Sequence, residues 1–83
     1  MSEFTYLSED QKAEVVAVTS ACIKYGGYEG IDDAYAYPHD NGGIAWGLNA
    51  GPHSYLIARG VLTPEQISSI RRGSSTVEEE LSK

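Results

Sequence analysis

Cysteine, proline and basic residues are all scarce in this chain. The single cysteine, Cys22, cannot close an internal disulfide, which excludes a disulfide-stapled secreted scaffold and a cysteine-based zinc cluster. Six Lys and Arg stand against twelve Asp and Glu, for a net charge of -6. That balance disfavours binding to a phosphate backbone, which needs clustered cations. No apolar run approaches the ~20 residues of a membrane span. The opening MSEFTYLSEDQ has neither the basic segment nor the apolar stretch of a signal peptide, so the expected location is cytoplasmic. What remains is an ordinary globular mix, 41% apolar and 22% charged, too hydrophobic for a disordered chain. Eighty-three residues make one domain with no room for a second, and its core is marginal because such a chain buries only roughly 60–65% of its unfolded surface.

Local signals then place the elements. Ser8 followed by Gln11 forms a capping box, Glu9 and Asp10 suit the positive end of a helix dipole, and Gly26-Gly27 can end the helix. Val15, Val16, Thr19, Cys22 and Ile23 share one face at helical spacing, so a long helix is predicted over residues 9–25. Near the other end, Thr63-Pro64 with Gln66 is a second capping box, and Leu62 and Ile67 are placed as a hydrophobic staple. This predicts a helix over 64–72, stopped by Gly73. Upstream, Pro52 can open a shorter helix ending at Gly60, whose φ is then expected to be positive. Between the long helix and this pair, Tyr35 and Tyr37 alternate with alanines, as do Ile44, Trp46 and Leu48 with Ala45 and Gly47. The His39-Asp40-Asn41-Gly42 segment is turn chemistry, so a β-hairpin is expected, with short helices at 31–37 and 43–49 as the alternative. The predicted class is thus α+β: a long N-terminal helix, a short central β-hairpin and a C-terminal pair of short helices. The alternative is an all-α fold of four to five short helices. Residues 1–74 form the globular domain, and 75–83 are expected to be a flexible acidic tail, with a short, weakly docked acidic helix as the alternative.

The chemistry-bearing residues are few. Cys22 sits mid-helix among apolar neighbours, the setting of a small core hydrophobe rather than an activated thiol. His39, Asp40 and His53, with Asp32 and Asp33, lack metal-ligand spacing, and Asp40-Asn41-Gly42-Gly43 does not continue into a calcium loop. Gly26-Gly27 and Gly42-Gly43 follow a helix and a turn, not a strand leading into a helix, so no phosphate loop is expected. No metal, cofactor or catalytic residue is therefore assigned. The helix pair over 52–72 resembles bacterial helix-turn-helix modules. Its second helix, however, begins Thr63-Pro64-Glu65-Gln66, with its arginines at the far end, so no direct nucleic-acid contact is expected.

The middle of the chain is more informative. Tyr25, Tyr28, Tyr35, Tyr37, Trp46 and Tyr55 interleave with Glu29, Asp32, Asp33 and Asp40, and no Lys or Arg occurs from Tyr25 through Ala58. Some of these aromatics must build the core. The rest, beside carboxylates, make an amphipathic acidic surface suited to a basic protein site. Tyr28, Glu29, Asp32, Asp33, Tyr35, Tyr37 and Asp40 are the candidate partner-binding residues. A short acidic chain without a catalytic motif is similar in format to the small inhibitors of phages and mobile elements, including anti-CRISPR proteins. That resemblance implies occupation of a basic surface on a larger host protein, by a monomer or homodimer with no enzymatic activity. The alternatives are a small helix-turn-helix regulator and a small metal-dependent enzyme centred on His39, Asp40 and His53.

Overall fold

The first helix, α1 (Glu9–Tyr25), begins and ends as its sequence dictates. The Ser8 hydroxyl accepts from the Gln11 amide at 3.2 Å, and the Gln11 side chain accepts from the Ser8 amide at 2.9 Å. At the other end the N–H of Gly26, at φ 71°, donates to the Cys22 carbonyl at 2.7 Å. The buried face is Val15, Val18, Thr19, Cys22 and Ile23, so Val18 takes the place expected for Val16, which packs only partly against the core. In this computed structural model, which describes residues 3–83, α1 lies across a four-stranded antiparallel sheet.

The sheet is a meander of β1 (Glu29–Ile31), β2 (Ala34–Pro38), β3 (Ile44–Asn49) and β4 (Leu56–Leu62), paired in that order. The central hairpin is as predicted, closed by His39 N–H on the Gly43 carbonyl at 2.8 Å and Gly43 N–H on Asn41 Oδ1 at 2.7 Å. It is not isolated, because β1 and β4 flank it, and the all-α alternative is excluded. Cross-strand pairs share a face. One face carries Ala34, Ala36, Trp46, Leu48, Ala58 and Leu62 into the core, with β2 and β3 against α1. Ala34 and Ala36 keep the sheet surface low, which lets the helix approach closely. Phe4, in a 3-10 turn at Glu3–Tyr6, closes the end of this core edge-on to Trp46, with ring centroids 6.1 Å apart.

Two expectations are overturned. Residues 52–60 are not a helix: Pro52 opens only a 3-10 turn (Gly51–His53), Ser54 turns the chain at φ 49°, and β4 follows. Gly60 lies within β4 without a positive φ, and its smallness serves another purpose. It pairs with Trp46, and a Cβ there would fall 2.5 Å from the indole Nε1. The helix-turn-helix pair is therefore absent. Nor is the C-terminal segment a frayed tail. After α2 (Pro64–Arg71), a third helix, α3 (Val77–Leu81), starts at a Thr76–Glu79 capping box and buries Val77, Glu80 and Leu81. It packs on α1, α2 and β4. Arg71 ties α2 to the end of α1 by donating to the Ile23 carbonyl at 3.1 Å. No helix among the described residues is long and apolar enough to cross a membrane.

Candidate functional site: the open face of the sheet

Alternation along a strand sends every second side chain away from α1. On that outer face the register aligns two rows across the sheet. One runs Gly30, Tyr35, Gly47, Arg59, and the other Tyr37, Ala45, Val61. Among the described residues no helix packs over them, and Tyr37 and Val61 are 42% and 43% exposed. Tyr35 lies across β3, because Gly47 leaves it room: a methyl group there would collide with the Tyr35 ring and hydroxyl. The Tyr35 and Tyr37 rings are nearly parallel, 6.0 Å apart and inclined by 14°. Tyr28 leans over Gly30, whose Cβ would sit 3.1 Å from the Tyr28 hydroxyl, which brings a third phenol to this face. A shallow depression of about 370 Å³ opens there, with Glu3, Tyr35, Tyr37, His39, Arg59 and Val61 in its lining.

The edges of the sheet are blunted, in contrast to its face. Arg59 N–H points outward from β4 and donates to a Glu3 carboxylate oxygen at 2.8 Å, so a side chain takes the place of a neighbouring strand. Between the Leu48–Ala58 and Asn49–Leu56 pairs, Ile57 is an extra residue, and such a bulge disturbs pairing at an edge. The opposite edge, β1, is three residues long.

The seven residues singled out from sequence divide among three places. Tyr28, Tyr35 and Tyr37 share the open face. Asp32 and Asp33 form the β1–β2 turn, with Asp32 at φ 51°, and Asp40 lies in the β2–β3 turn. The β2 tyrosines are thus bracketed by acids at both strand ends. Glu29 points the other way, pairing with buried Ala36 on the α1 side. There its negative charge adds to burial in raising the pKa of Cys22, which keeps that thiol protonated. Glu14 of α1 lies near the Asp32–Asp33 turn. Its pKa is raised, first by burial, then by the charges of Asp32 and Asp33, with a side-chain hydrogen bond to Asp32. Among the described residues no ion pair reaches Glu14, Asp32 or Asp33, so this end of the molecule is an acidic patch.

Arg59 and Val61 escaped the sequence reading, because their strand was taken for a helix. The signal for the strand was Ala58, Gly60 and Leu62 alternating with Ile57, Arg59 and Val61, with small or apolar residues toward the core. The guanidinium of Arg59 makes no ion pair among the described residues, whose two salt bridges are Lys12–Glu9 and Lys83–Glu80. His39 lines the open face, whereas His53 is in the 3-10 turn before β4. Among the described residues no group of three or more His, Cys, Asp or Glu is arranged to hold a metal ion. Compared with family models, with curated proteins and with solved structures, the chain matches none.

Proposed function

We propose that this protein is a non-enzymatic binding module that docks the open face of its sheet onto a basic site of a larger protein. The observation that carries the reading is β2 itself, which presents Tyr35 and Tyr37 on an uncovered face between the acids of two turns. Phenol rings give a large contact area at low entropic cost and accept cations over their faces. The acids at the rim attract and orient a basic partner. The uncompensated charge around Glu14, Asp32 and Asp33 supports this, because that field reaches beyond the contact itself. The role that suits the format is inhibition by occupancy, of the kind used by small phage and mobile-element proteins. In this reading the partner's own nucleic acid or subunit is excluded from the covered site.

Capture of the partner on the immobilised full chain, followed by kinetic measurement, tests the reading. Asp32→Asn with Asp33→Asn slows association and weakens its salt dependence. Tyr37→Ala leaves association nearly unchanged and speeds dissociation, at a cost of about 2 kcal/mol for a hot-spot aromatic. Kinetics unchanged in both variants would reject the face as the interface.

A further inference from the structure

We propose that the bulge in β4 builds an apolar anchor for a partner segment that combines basic residues with large aliphatic ones. The inference rests on the reading of the open face as the docking surface and names what the bound segment must carry. Strand alternation locates the anomaly. Counting back from Ala58, which is buried in the core, a regular strand would turn Ile57 outward and aim Leu56 at the core. The extra residue resets that phase. Leu56 pairs with Asn49, and Asn49 follows Ala45 and Gly47 on the outer side of β3. A third row of the open face therefore ends in a leucine. Leu56 and Ile57 are 41% and 39% exposed, and Tyr55 before them is 65% exposed. Three consecutive large apolar residues thus stand in water.

Edge protection accounts for the bulge but not for its occupants. Proteins blunt exposed edges with charge or proline, whereas the exposed positions here are aliphatic. The segment is also held in one shape, which lowers the entropy lost on binding. Ala50 N–H donates to the Tyr55 carbonyl at 2.8 Å, and Ser54 N–H donates to the Gly51 carbonyl at 2.9 Å. Ser54 keeps φ at 49°, in the left-handed region that favours glycine. Charge names the occupant. Residues 41–58 contain no Asp, Glu, Lys or Arg, so the anchor itself is neutral. The Asp32–Asp33 turn lies against its row, because Asn49 N–H donates to the Asp33 carbonyl at 3.0 Å. Glu14 adds its charge from α1, and Glu3 sits on the Arg59 N–H further along β4. Against these four acids, Arg59 is the one cation of β4. A basic segment is therefore drawn to this end of the sheet, and its aliphatic side chains cover the anchor. An anionic lipid surface offers an apolar medium but meets the same acids with like charge.

Nuclear magnetic resonance titration of the isotope-labelled full chain with two synthetic probes, each up to ~1 mM, tests this. One probe is an amphipathic lysine–leucine peptide, and the other has the same length and charge with serine in place of leucine. The expected result is saturable amide shifts at Asn49 and residues 55–57 with the leucine peptide, and binding about tenfold weaker with the serine peptide. Leu56→Asn and Ile57→Asn each weaken the leucine-peptide complex about tenfold and keep the melting temperature of the parent, because both side chains are exposed. Asp32→Asn with Asp33→Asn weakens it at low salt and has little effect at high salt. Absence of saturable shifts, equal affinity for the two peptides, or indifference to both aliphatic substitutions overturns the anchor. Tighter association with anionic than with zwitterionic vesicles also overturns it, by making a lipid surface the occupant. Partner capture by the variants is read separately. A partner lost on Tyr37→Ala but kept by Leu56→Asn and Ile57→Asn removes the anchor and leaves the tyrosine face in place. A partner lost on Leu56→Asn or Ile57→Asn and kept by Tyr37→Ala does the reverse.

Discussion

Replacing Leu81 with alanine is expected to lower the thermal midpoint by about 15 °C, although a C-terminal segment with three consecutive glutamates reads as a solvated tail. Leu81 is only 3% exposed and belongs to the same buried cluster as Val15, Val18, Trp46 and Leu62. Truncating a buried leucine removes its transfer free energy and leaves a cavity, at a cost of about 2–5 kcal/mol. A value near 3 kcal/mol is reasonable for a site on a short helix at the rim of the core, where neighbours can relax. For a chain this size the unfolding entropy is ~0.17 kcal/mol/K, so 3 kcal/mol corresponds to a shift of roughly 15–20 °C. An upper limit follows from the length of α3. Leu81→Ala cannot cost more than undocking the helix, because at that point the segment detaches and recovers its conformational entropy. Deleting residues 76–83 measures that limit directly, and the two variants converge if α3 lets go. Glu78→Ala, at an exposed position of the same helix, is the control. Differential scanning calorimetry of the four proteins decides the matter. A shift below about 3 °C for both Leu81→Ala and the deletion would refute the argument that α3 is part of the core.

Gly60→Ala places a methyl 2.5 Å from Trp46 Nε1, so the indole must shift; a loss of about 1–3 kcal/mol in urea unfolding is expected, and no loss would mean that the ring is elsewhere. Thr19 has a fully buried hydroxyl without a hydrogen-bond partner among the described residues, so Thr19→Val should stabilise by about 1 kcal/mol, and a destabilised variant would contradict that reading. Glu14 and Glu80 should give opposite pH signatures. The pKa of Glu14 is raised above the usual 4.5, so the native state holds that proton more firmly, a contribution that is full below 4.5 and lost as pH rises through the native value. Glu14→Gln therefore gains relative to the parent at pH 7 compared with pH 4. The pKa of Glu80 is lowered from 4.5 by the Ser75 hydroxyl, then Lys83, with Gln66 also donating; its contribution is present above 4.5 and lost as pH falls through the native value. Glu80→Gln accordingly loses most at neutral pH, and parallel pH–melting curves for parent and variants would contradict both assignments.

What could be read in advance was whatever depends on neighbours in the chain. The capping boxes at Ser8 and Thr63 satisfy their own backbone donors within three residues, so sequence spacing alone locates α1 and the start of α2. The same signature stands at Thr76–Glu79, and the density of acids around it disguised a helix that docks in the core. Tyr35 and Tyr37 were identified correctly as alternating strand residues because β2 and β3 are joined by a local turn. The error over residues 52–60 came from giving Pro52 and Gly60 local meanings, a helix start and a helix stop. In the structure Gly60 is small because Trp46, fourteen residues earlier, rests over it. No local pattern encodes that contact.

The same distinction explains why the open face was half visible. Its tyrosines and flanking acids lie within one hairpin and its turns, whereas Arg59 and Val61 join them only through the register of β4 on β3. That register also assigns a direction to the chemistry. A list of tyrosines and acids implies an anionic surface, but alternation in β1 and β2 sends Glu29 toward the helix and leaves Arg59 as the one formal charge in the two rows. In the proposed docking the acids of the two turns act at a distance, and the aromatic rings act at contact. That proposal assigns steering and anchoring to different residues, so the effects of screening salt and of ring truncation should be separable in association and dissociation rates.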